Sequence, residues 1–68
     1  MNITLNGEQR KLGDGARVRE AVRATGATPD ARGLAVAVDG EVVPRGQWDA
    51  MELHEGQRIE IVQAVQGG

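Results

Sequence analysis

The sequence predicts an α+β domain, a mixed β-sheet of four to five strands with one α-helix packed on one face. Two hairpin signals, Asn6-Gly7 and Asp39-Gly40, lie on either side of a single stretch with helical spacing. The chain has 68 residues, which is enough for one small domain. Its hydrophobic content of 40% is mostly aliphatic, with Trp48 as the sole aromatic residue. This composition favours a small aliphatic core and is not typical of disorder.

The first hairpin is predicted at the start of the chain. Met1 to Leu5 alternates apolar and polar residues, which is the period of a half-buried strand. Asn6-Gly7 follows, and both central positions of a type I′ turn need a positive φ angle. Glu8 to Leu12 is mostly polar, so we expect a return strand near an edge of the sheet, where its charges discourage pairing with other chains.

A short helix of roughly two turns is predicted next, held by packing rather than by propensity. Its apolar positions have the helical spacing i, i+3, i+4: Val18, Ala21 and Val22. The start is poorly defined, because Glu20 stands where a capping box has Glu but Arg17 is a poor N-cap. Gly26 is a natural residue to follow the helix end. We expect Arg17, Arg19 and Arg23 to form a solvated outer face.

The second half of the chain begins with Thr28-Pro29-Asp30, which predicts a turn or a single helical turn. The continuous apolar run Leu34 to Val38 predicts a strand buried on both faces. Asp39-Gly40 then turns the chain, and Glu41 to Val43 returns before Pro44 ends the strand.

The last third contains an irregular segment and a final strand. From Gly46 to Glu55 no period is visible, and we expect three of its side chains to fill the core: Trp48, Met51 and Leu53. Arg58 to Val62 alternates again, which predicts a strand. Because the first and last strands each have a clear apolar face, we expect them to be the central partners of the sheet.

Composition excludes several classes of function. The absence of Cys removes disulfides, cysteine-based zinc sites, iron–sulfur clusters and thiol nucleophiles. The single His54 is expected at the surface, and Asp49, Glu52 and Glu55 as a solvated loop face, so no catalytic constellation indicates an enzyme. A net charge of −2 argues against a nucleic-acid binder. Neither a membrane span nor a secretory signal is visible, so we expect a cytoplasmic protein.

The sequence ends in Gly67-Gly68, and two glycines add nothing to a core. The residues alone leave two interpretations open, a flexible end and a functional end. In the functional one, both glycines enter a narrow slot because they lack a Cβ, and the terminal carboxylate is the reacting group. A carboxylate is a poor electrophile at neutral pH, so it needs activation, most simply as an acyl adenylate. Five extended residues reach at most about 17 Å.

Several motifs, spread over nearly the whole chain, carry a resemblance to a known family. They are Leu5 to Glu8, Ala35 to Arg45, Trp48, Gly56 to Val62 and Ala64 to Gly68. With these motifs the chain resembles the ThiS-type sulfur carriers of thiamine thiazole biosynthesis, which are small ubiquitin-like proteins. A terminal Gly-Gly alone is shared by several ubiquitin-like proteins. The Val-Pro-Arg sequence, the Trp downstream of it and the Ala-Val-Gln-Gly-Gly ending together are more specific.

The chain departs from the family pattern in its helix. Arg17 stands where the family often has Thr, and Ala21 and Val22 stand where Leu is commoner. These differences concern the stability of the helix and not the chemistry of the tail.

The resemblance implies a ubiquitin-like β-grasp domain over residues 1–63 and a flexible C-terminal tail over residues 64–68. It implies that an ATP-dependent, ThiF-type adenylyltransferase activates the Gly68 carboxylate beside Gly67, with ATP and Mg²⁺ bound by that partner. A persulfide sulfur donor then converts the adenylate to a thiocarboxylate, which donates sulfur to thiazole synthase. The chain itself would be a carrier rather than an enzyme, would bind no cofactor or metal, and would be a monomer when free.

The surface that contacts these partners is predicted from the same resemblance. Ubiquitin-like domains generally use the sheet face opposite the helix, and Val42 and Val62 alternate away from the predicted core positions. An exposed aliphatic patch beside a functional tail would mark a docking surface. The candidate partner-binding residues are therefore Val42, Val62, Ala64, Val65 and Gln66. We expect Trp48 to fill the core rather than to be an exposed anchor, and Arg45 to be solvated rather than a contact to an acidic partner.

Three other functions stay open on the sequence. A molybdopterin synthase small subunit is a carrier of the same chemical class, although such chains are usually longer. A covalent protein modifier would use the same terminus to form isopeptide bonds to lysines. A binding module of the same fold would have an idle tail.

Overall fold

A computed structural model describes residues 1–27 and 32–63, and in this part of the chain it contains five strands and one α-helix. In chain order the elements are β1 (Asn2–Leu5), β2 (Glu8–Lys11), α1 (Val18–Ala24), β3 (Leu34–Val38), β4 (Glu41–Val43), a 3-10 turn (Arg45–Gln47) and β5 (Arg58–Gln63). The strands form one sheet in the order β2-β1-β5-β3-β4. The pair β1–β5 is parallel, and the other neighbours are antiparallel. The predicted α+β class and the β-grasp arrangement are confirmed.

The two hairpin turns have the backbone that their sequences predict. Asn6 and Gly7 have φ angles of 50° and 83°, and Asp39 and Gly40 have φ angles of 50° and 86°. Asn and Asp are the side-chain-bearing residues that enter this left-handed region most readily, because their short polar groups can hydrogen bond locally. Each turn therefore joins two antiparallel strands by two residues.

Strand β5 lies in the centre of the sheet, as its apolar face predicts. It pairs with β1 at Thr4–Arg58 and Leu5–Ile59. It pairs with β3 over five positions, from Val38–Ile59 to Leu34–Gln63. Strand β2 is an edge strand, and all four of its residues are exposed, which confirms the prediction for this polar segment.

Helix α1 covers one face of this sheet. Its three predicted apolar residues are each 0% exposed, and they pack in one cluster with side chains from the strands and the loop. The buried members of that cluster are Ile3, Leu5, Val18, Ala21, Val22, Val36, Val38, Val43, Trp48, Leu53, Ile59 and Ile61. In the described residues every buried side-chain nitrogen and oxygen has a hydrogen-bond partner.

The prediction that β3 is buried on both faces was wrong. Val36 and Val38 lie in the core, but Ala35 is exposed and Ala37 only half-buried. The continuous apolar run suggested a covered sheet, whereas the helix covers only one face of it. Because the side chain of alanine is small, Ala35 and Ala37 add little apolar surface to the open face, and this exposure costs little.

The ends of α1 are held by other parts of the chain. At the start, the Arg17 N–H donates to the Glu20 carboxylate at 2.7 Å, but the arginine side chain has no acceptor to complete a capping box. At the end, Thr25 is the C-cap and Gly26 follows with a φ angle of 86°, as predicted. The Arg10 guanidinium, on β2, donates to the Ala24 carbonyl in the last turn.

The loop after β4 packs beneath the start of the helix. Trp48 is 1% exposed, and its indole N–H donates to the Val43 carbonyl at 3.0 Å, which confirms it as a core residue. The Arg45 guanidinium lies 4.6 Å from the centre of its ring. Two N–H groups of the first helical turn, those of Val18 and Arg19, donate to the carbonyls of Met51 and Trp48 at 3.0 and 3.2 Å. The loop thus satisfies donors that a helix start leaves unpaired.

The expectation of a solvated arginine face is confirmed for Arg17 and Arg23, which are exposed, but not for Arg19, which is only partly exposed and is ion-paired. The Arg19 guanidinium forms a salt bridge with Asp49, and Arg17 donates to the Asp49 and Ala50 carbonyls at 3.1 and 3.3 Å. Only the fold brings residues 30 or more positions apart into contact. The helix spacing places these side chains on one face but does not show what lies against it.

Replacing Ile61 tests the assignment of the core. Ile61 is 8% exposed, so Ile61→Ala should lower the free energy of unfolding by about 2–5 kcal/mol through lost burial and the cavity left behind. The neighbouring Val62 points to the other face and is 62% exposed, so Val62→Ala should cost less than about 1 kcal/mol. Denaturant unfolding of both variants gives the comparison. Equal losses would contradict the assignment of Ile61 to the core and Val62 to the surface.

The Arg19–Asp49 pair predicts a pH dependence. The hydrogen bond from Arg19 holds the pKa of Asp49 below its ordinary value of 3.8. Asp49 therefore stabilises the folded chain above pH 3.8, and this stabilisation is lost as the pH falls through the lower pKa of the folded state. The difference in unfolding free energy between the natural chain and Asp49→Asn should shrink over that range. In an Arg19→Gln background this difference should depend much less on pH. If Arg19→Gln leaves the pH dependence of the difference as it is in the natural chain, the assignment is refuted.

Candidate functional site

The C-terminal residues predicted to carry the chemistry lie outside the described residues. This holds for Gly67 and Gly68, for the candidate contacts Ala64 to Gln66, and also for the predicted turn Thr28 to Asp30. The division into a domain of residues 1–63 and a tail therefore stays a prediction. The structure does describe β5 as far as Gln63, so it shows the strand from which residues 64–68 continue.

The open face of the sheet carries the two predicted valines. Val42 is 76% exposed and Val62 is 62% exposed, and they are the exposed large hydrophobic residues of the described chain. The strand register places Val42 beside Ala37 and Val62 beside Ala35. These four side chains, Val42, Ala37, Ala35 and Val62, are called the open-face patch below.

The open-face patch has a simple shape. Val42 and Val62 lie on strands two spacings apart and are offset by two residues, which separates them by about 12 Å. Ala35 and Ala37 on the intervening β3 form a shallow floor between them. The sequence predicted the two valines, but the alanines were missed, because a continuous apolar run gives no alternation to show which residues face outward.

Charged groups border the patch on one side. Glu60 pairs with Ala37 in the register, and its carboxylate lies 3.9 Å from the Arg58 guanidinium nitrogen. Both side chains are more than half exposed, so this ion pair contributes little to stability. An apolar area with a charged border is the usual composition of a surface that contacts another protein.

Two turn side chains contact β5, and sequence reasoning missed both. The Asn6 side chain donates to the Ile61 carbonyl at 3.2 Å and accepts from the Ile61 N–H at 2.8 Å. The Asp39 carboxylate accepts from the Arg58 N–H at 2.9 Å. The signal was available in the sequence, since both turns have Asn or Asp where Gly would give the same φ angle, but the strand each would contact could not be identified from spacing.

The remaining candidates from the sequence have no part in the open-face patch. His54 is exposed, and the Glu55 carboxylate accepts from the Asn2 N–H at 3.0 Å. Within residues 1–27 and 32–63, no three His, Asp or Glu side chains form a group that could hold a metal ion. In the same ranges no helix is long and apolar enough to cross a membrane.

Comparison with known proteins gives a consistent result. The sequence matches the ThiS family over residues 3–68. The crystal structure of the thiamine biosynthesis protein ThiS from Geobacter metallireducens is similar, with a TM-score of 0.79, 28% sequence identity and full coverage of both chains. An NMR structure of a thiamine biosynthesis protein from the same organism has a TM-score of 0.78 and 28% identity, and the match covers all of this chain and 88% of the other. No curated protein sequence matches significantly.

The family match covers nearly the whole chain, including the five residues that follow β5. The two solved structures share the overall fold of this chain, as their TM-scores show. The chain therefore belongs to the ThiS family of small β-grasp sulfur carriers.

Proposed function

We propose that this chain carries sulfur for thiazole formation in thiamine biosynthesis, with the carboxylate of Gly68 as the carrying group. The observation that carries the proposal is the family match over residues 3–68, which includes Gly67 and Gly68. Full-length similarity to a Geobacter metallireducens thiamine biosynthesis protein supports it. In this proposal the chain is a substrate of enzymes and not itself an enzyme.

The chemistry follows from the low reactivity of a carboxylate. A carboxylate oxygen of Gly68 attacks the α-phosphorus of ATP on a ThiF-type adenylyltransferase, and pyrophosphate leaves. The terminal sulfur of a persulfide donor then attacks the acyl carbon of the adenylate, and AMP leaves. A second thiol reduces the resulting sulfur–sulfur bond and releases the thiocarboxylate, which can supply sulfur to thiazole synthase. ATP and Mg²⁺ are bound by the adenylyltransferase in this scheme.

The described domain supports a division between docking and chemistry. Its core is formed by residues up to Ile61, so the reacting group is separated from the core by several residues. From Gln63, the next five residues reach at most about 17 Å when extended. The domain can therefore stay outside a partner while Gly68 enters its active site, and glycines at the last two positions suit a narrow entrance.

The open-face patch is the proposed docking surface for the adenylyltransferase. Val62 lies on β5 one residue before Gln63, so the patch and the start of the tail are adjacent. The partner would then present an apolar area within about 17 Å of its ATP site. Ala64, Val65 and Gln66 would line the path between the two.

Mass measurement of the intact chain tests the carrier function. Incubated with its adenylyltransferase, ATP and a persulfide donor, the chain should gain the mass difference between sulfur and oxygen at its terminus. Deleting Gly67 and Gly68, or adding one alanine after Gly68, should abolish the gain while leaving the thermal unfolding midpoint unchanged, because the described core does not include those residues. High-mass adducts to lysines would indicate a protein modifier instead. Sulfur transfer that survives the added alanine would refute the proposal.

A charge placed in the patch tests docking. Val62→Asp puts a carboxylate in the apolar area and should raise the KM of the adenylyltransferase for the chain by roughly tenfold, with a smaller effect on kcat. Gln9→Asp adds the same charge on edge strand β2, outside the patch, and should leave the KM within about twofold. The exchange of pyrophosphate into ATP, which proceeds through the adenylate, gives both constants when it is measured at several concentrations of the chain. Equal KM values for the two variants would contradict docking through the patch.

A further inference from the structure

We propose that Asn6 is a positioning residue for the carrier reaction: its side chain fixes the end of β5 from which the C-terminal residues continue. This inference rests on the proposed function, and it assigns a role to a turn residue far from Gly68 in the sequence. Asn6 is the first central residue of the β1–β2 turn, and its amide hydrogen bonds to Ile61, 55 residues later.

The bonds from the Asn6 side chain to Ile61 replace the backbone bonds that a longer β1 would make. Strand β1 pairs with β5 only as far as Leu5–Ile59, because the chain turns away at Asn6. The Asn6 backbone N–H makes the next bond, to the Ile59 carbonyl at 2.9 Å. Its side chain then pairs with the N–H and the carbonyl of Ile61 at 2.8 and 3.2 Å. One side-chain amide thus supplies the donor and the acceptor that a further residue of β1 would have supplied.

Ile61 cannot obtain these bonds from the other side of the sheet. Backbone groups of successive residues in a strand point to opposite neighbours. The backbone N–H and carbonyl of Arg58 bond to the Asp39 turn on the β3 side. The backbone N–H and carbonyl groups of Glu60 and Val62 therefore also point toward β3. The backbone N–H and carbonyl of Ile61 point toward β1, where the Asn6 side chain is their partner. Without the Asn6 side chain, both backbone groups of Ile61 would depend on water.

Asparagine is the residue that this position requires. The φ angle of 50° excludes most side chains, and Gly, Asn and Asp are the common occupants. Glycine would keep the turn but offer no bond. Aspartate would accept from the Ile61 N–H, but its carboxylate cannot donate to the Ile61 carbonyl. Only the amide satisfies both groups.

Fixing Ile61 has a consequence for Gly68. Val62, in the open-face patch, and Gln63, the last residue of β5, follow Ile61 directly. If β5 were held only from the β3 side here, the direction in which residues 64–68 leave the docked domain would vary. A smaller fraction of docked chains would then have Gly68 at the ATP site, because the effective concentration of a tethered group depends on its attachment. Docking through the patch would not change.

The Asp39 turn provides a matched control. Asp39 has the same φ angle of 50°, is the first residue of the same kind of turn, and bonds the N–H of Arg58 at the opposite end of β5. Asp39→Gly therefore removes a comparable side-chain contact to β5 but leaves the end near Gln63 unchanged. Asn6→Gly and Asp39→Gly release opposite ends of β5, and Asp39→Gly also removes a charge and the bond from the Gln57 side-chain amide, so it is the more disruptive change of the two.

Two measurements on the full-length chain test the inference. In Asn6→Gly, amide hydrogen exchange at Ile61 should be faster by about tenfold or more, while Glu60 and Val62 keep their protection. The kcat of adenylation should fall roughly fivefold to tenfold with the KM within about twofold, which is the reverse of the Val62→Asp pattern. Asn6→Asp, which keeps one of the two bonds, should recover part of the loss. Asp39→Gly should keep the natural kcat.

The outcomes separate this inference from the proposed function. If the natural chain is not adenylated, the proposed function fails, whatever the exchange rates are. If the natural chain is adenylated and Asn6→Gly matches it in kcat, or Asp39→Gly loses as much as Asn6→Gly, Asn6 is not a positioning residue. Unchanged protection of Ile61 in Asn6→Gly would overturn the structural basis of the inference directly.

Discussion

The pairing of β5 is the constraint on which the other features of this molecule depend. This strand is the central member of the sheet, parallel to β1 on one side and antiparallel to β3 on the other. Ile59 and Ile61 on one face of it belong to the core, and Val62 on the other face belongs to the open-face patch. Since side chains alternate along a strand, a shift of one residue in this pairing would exchange the core and the surface. The register of β5 thus sets both stability and the proposed docking face.

The single helix depends on the same sheet and on the loop beneath it. Seven residues are too few for a helix that is stable alone in water. Helix α1 buries three small apolar side chains, receives carbonyls from the loop at its first turn, and is held at its end by Arg10. The loop in turn is fixed by Trp48, whose indole bonds the end of β4. Helix and loop stabilise each other on one face of the sheet, and on the other face Val42 and Val62 are exposed.

A carrier with this architecture keeps its structural and chemical requirements apart. The core needs defined packing, whereas a terminal carboxylate that enters a partner's active site, as proposed above, needs residues that add little bulk. The open-face patch and the Asn6–Ile61 contact lie between these two requirements: the first can hold the domain on a partner, and the second fixes the strand that leads to the C-terminus. Substitutions in the core should therefore affect folding, and those near Gln63 should affect delivery.

The sequence by itself determined the elements that rest on local physics. The strand periods, the two turns at Asn6-Gly7 and Asp39-Gly40, the helix around Val18 and the exposure of both valines could all be predicted, because side-chain spacing and positive φ angles are set by neighbouring residues. Tertiary structure alone decided which face of β3 is open, that Arg19 meets Asp49, and that Asn6 and Asp39 bond to β5. These contacts join residues 19 to 55 positions apart, and no periodic pattern carries the pairing of segments that become neighbours only when the sheet has formed.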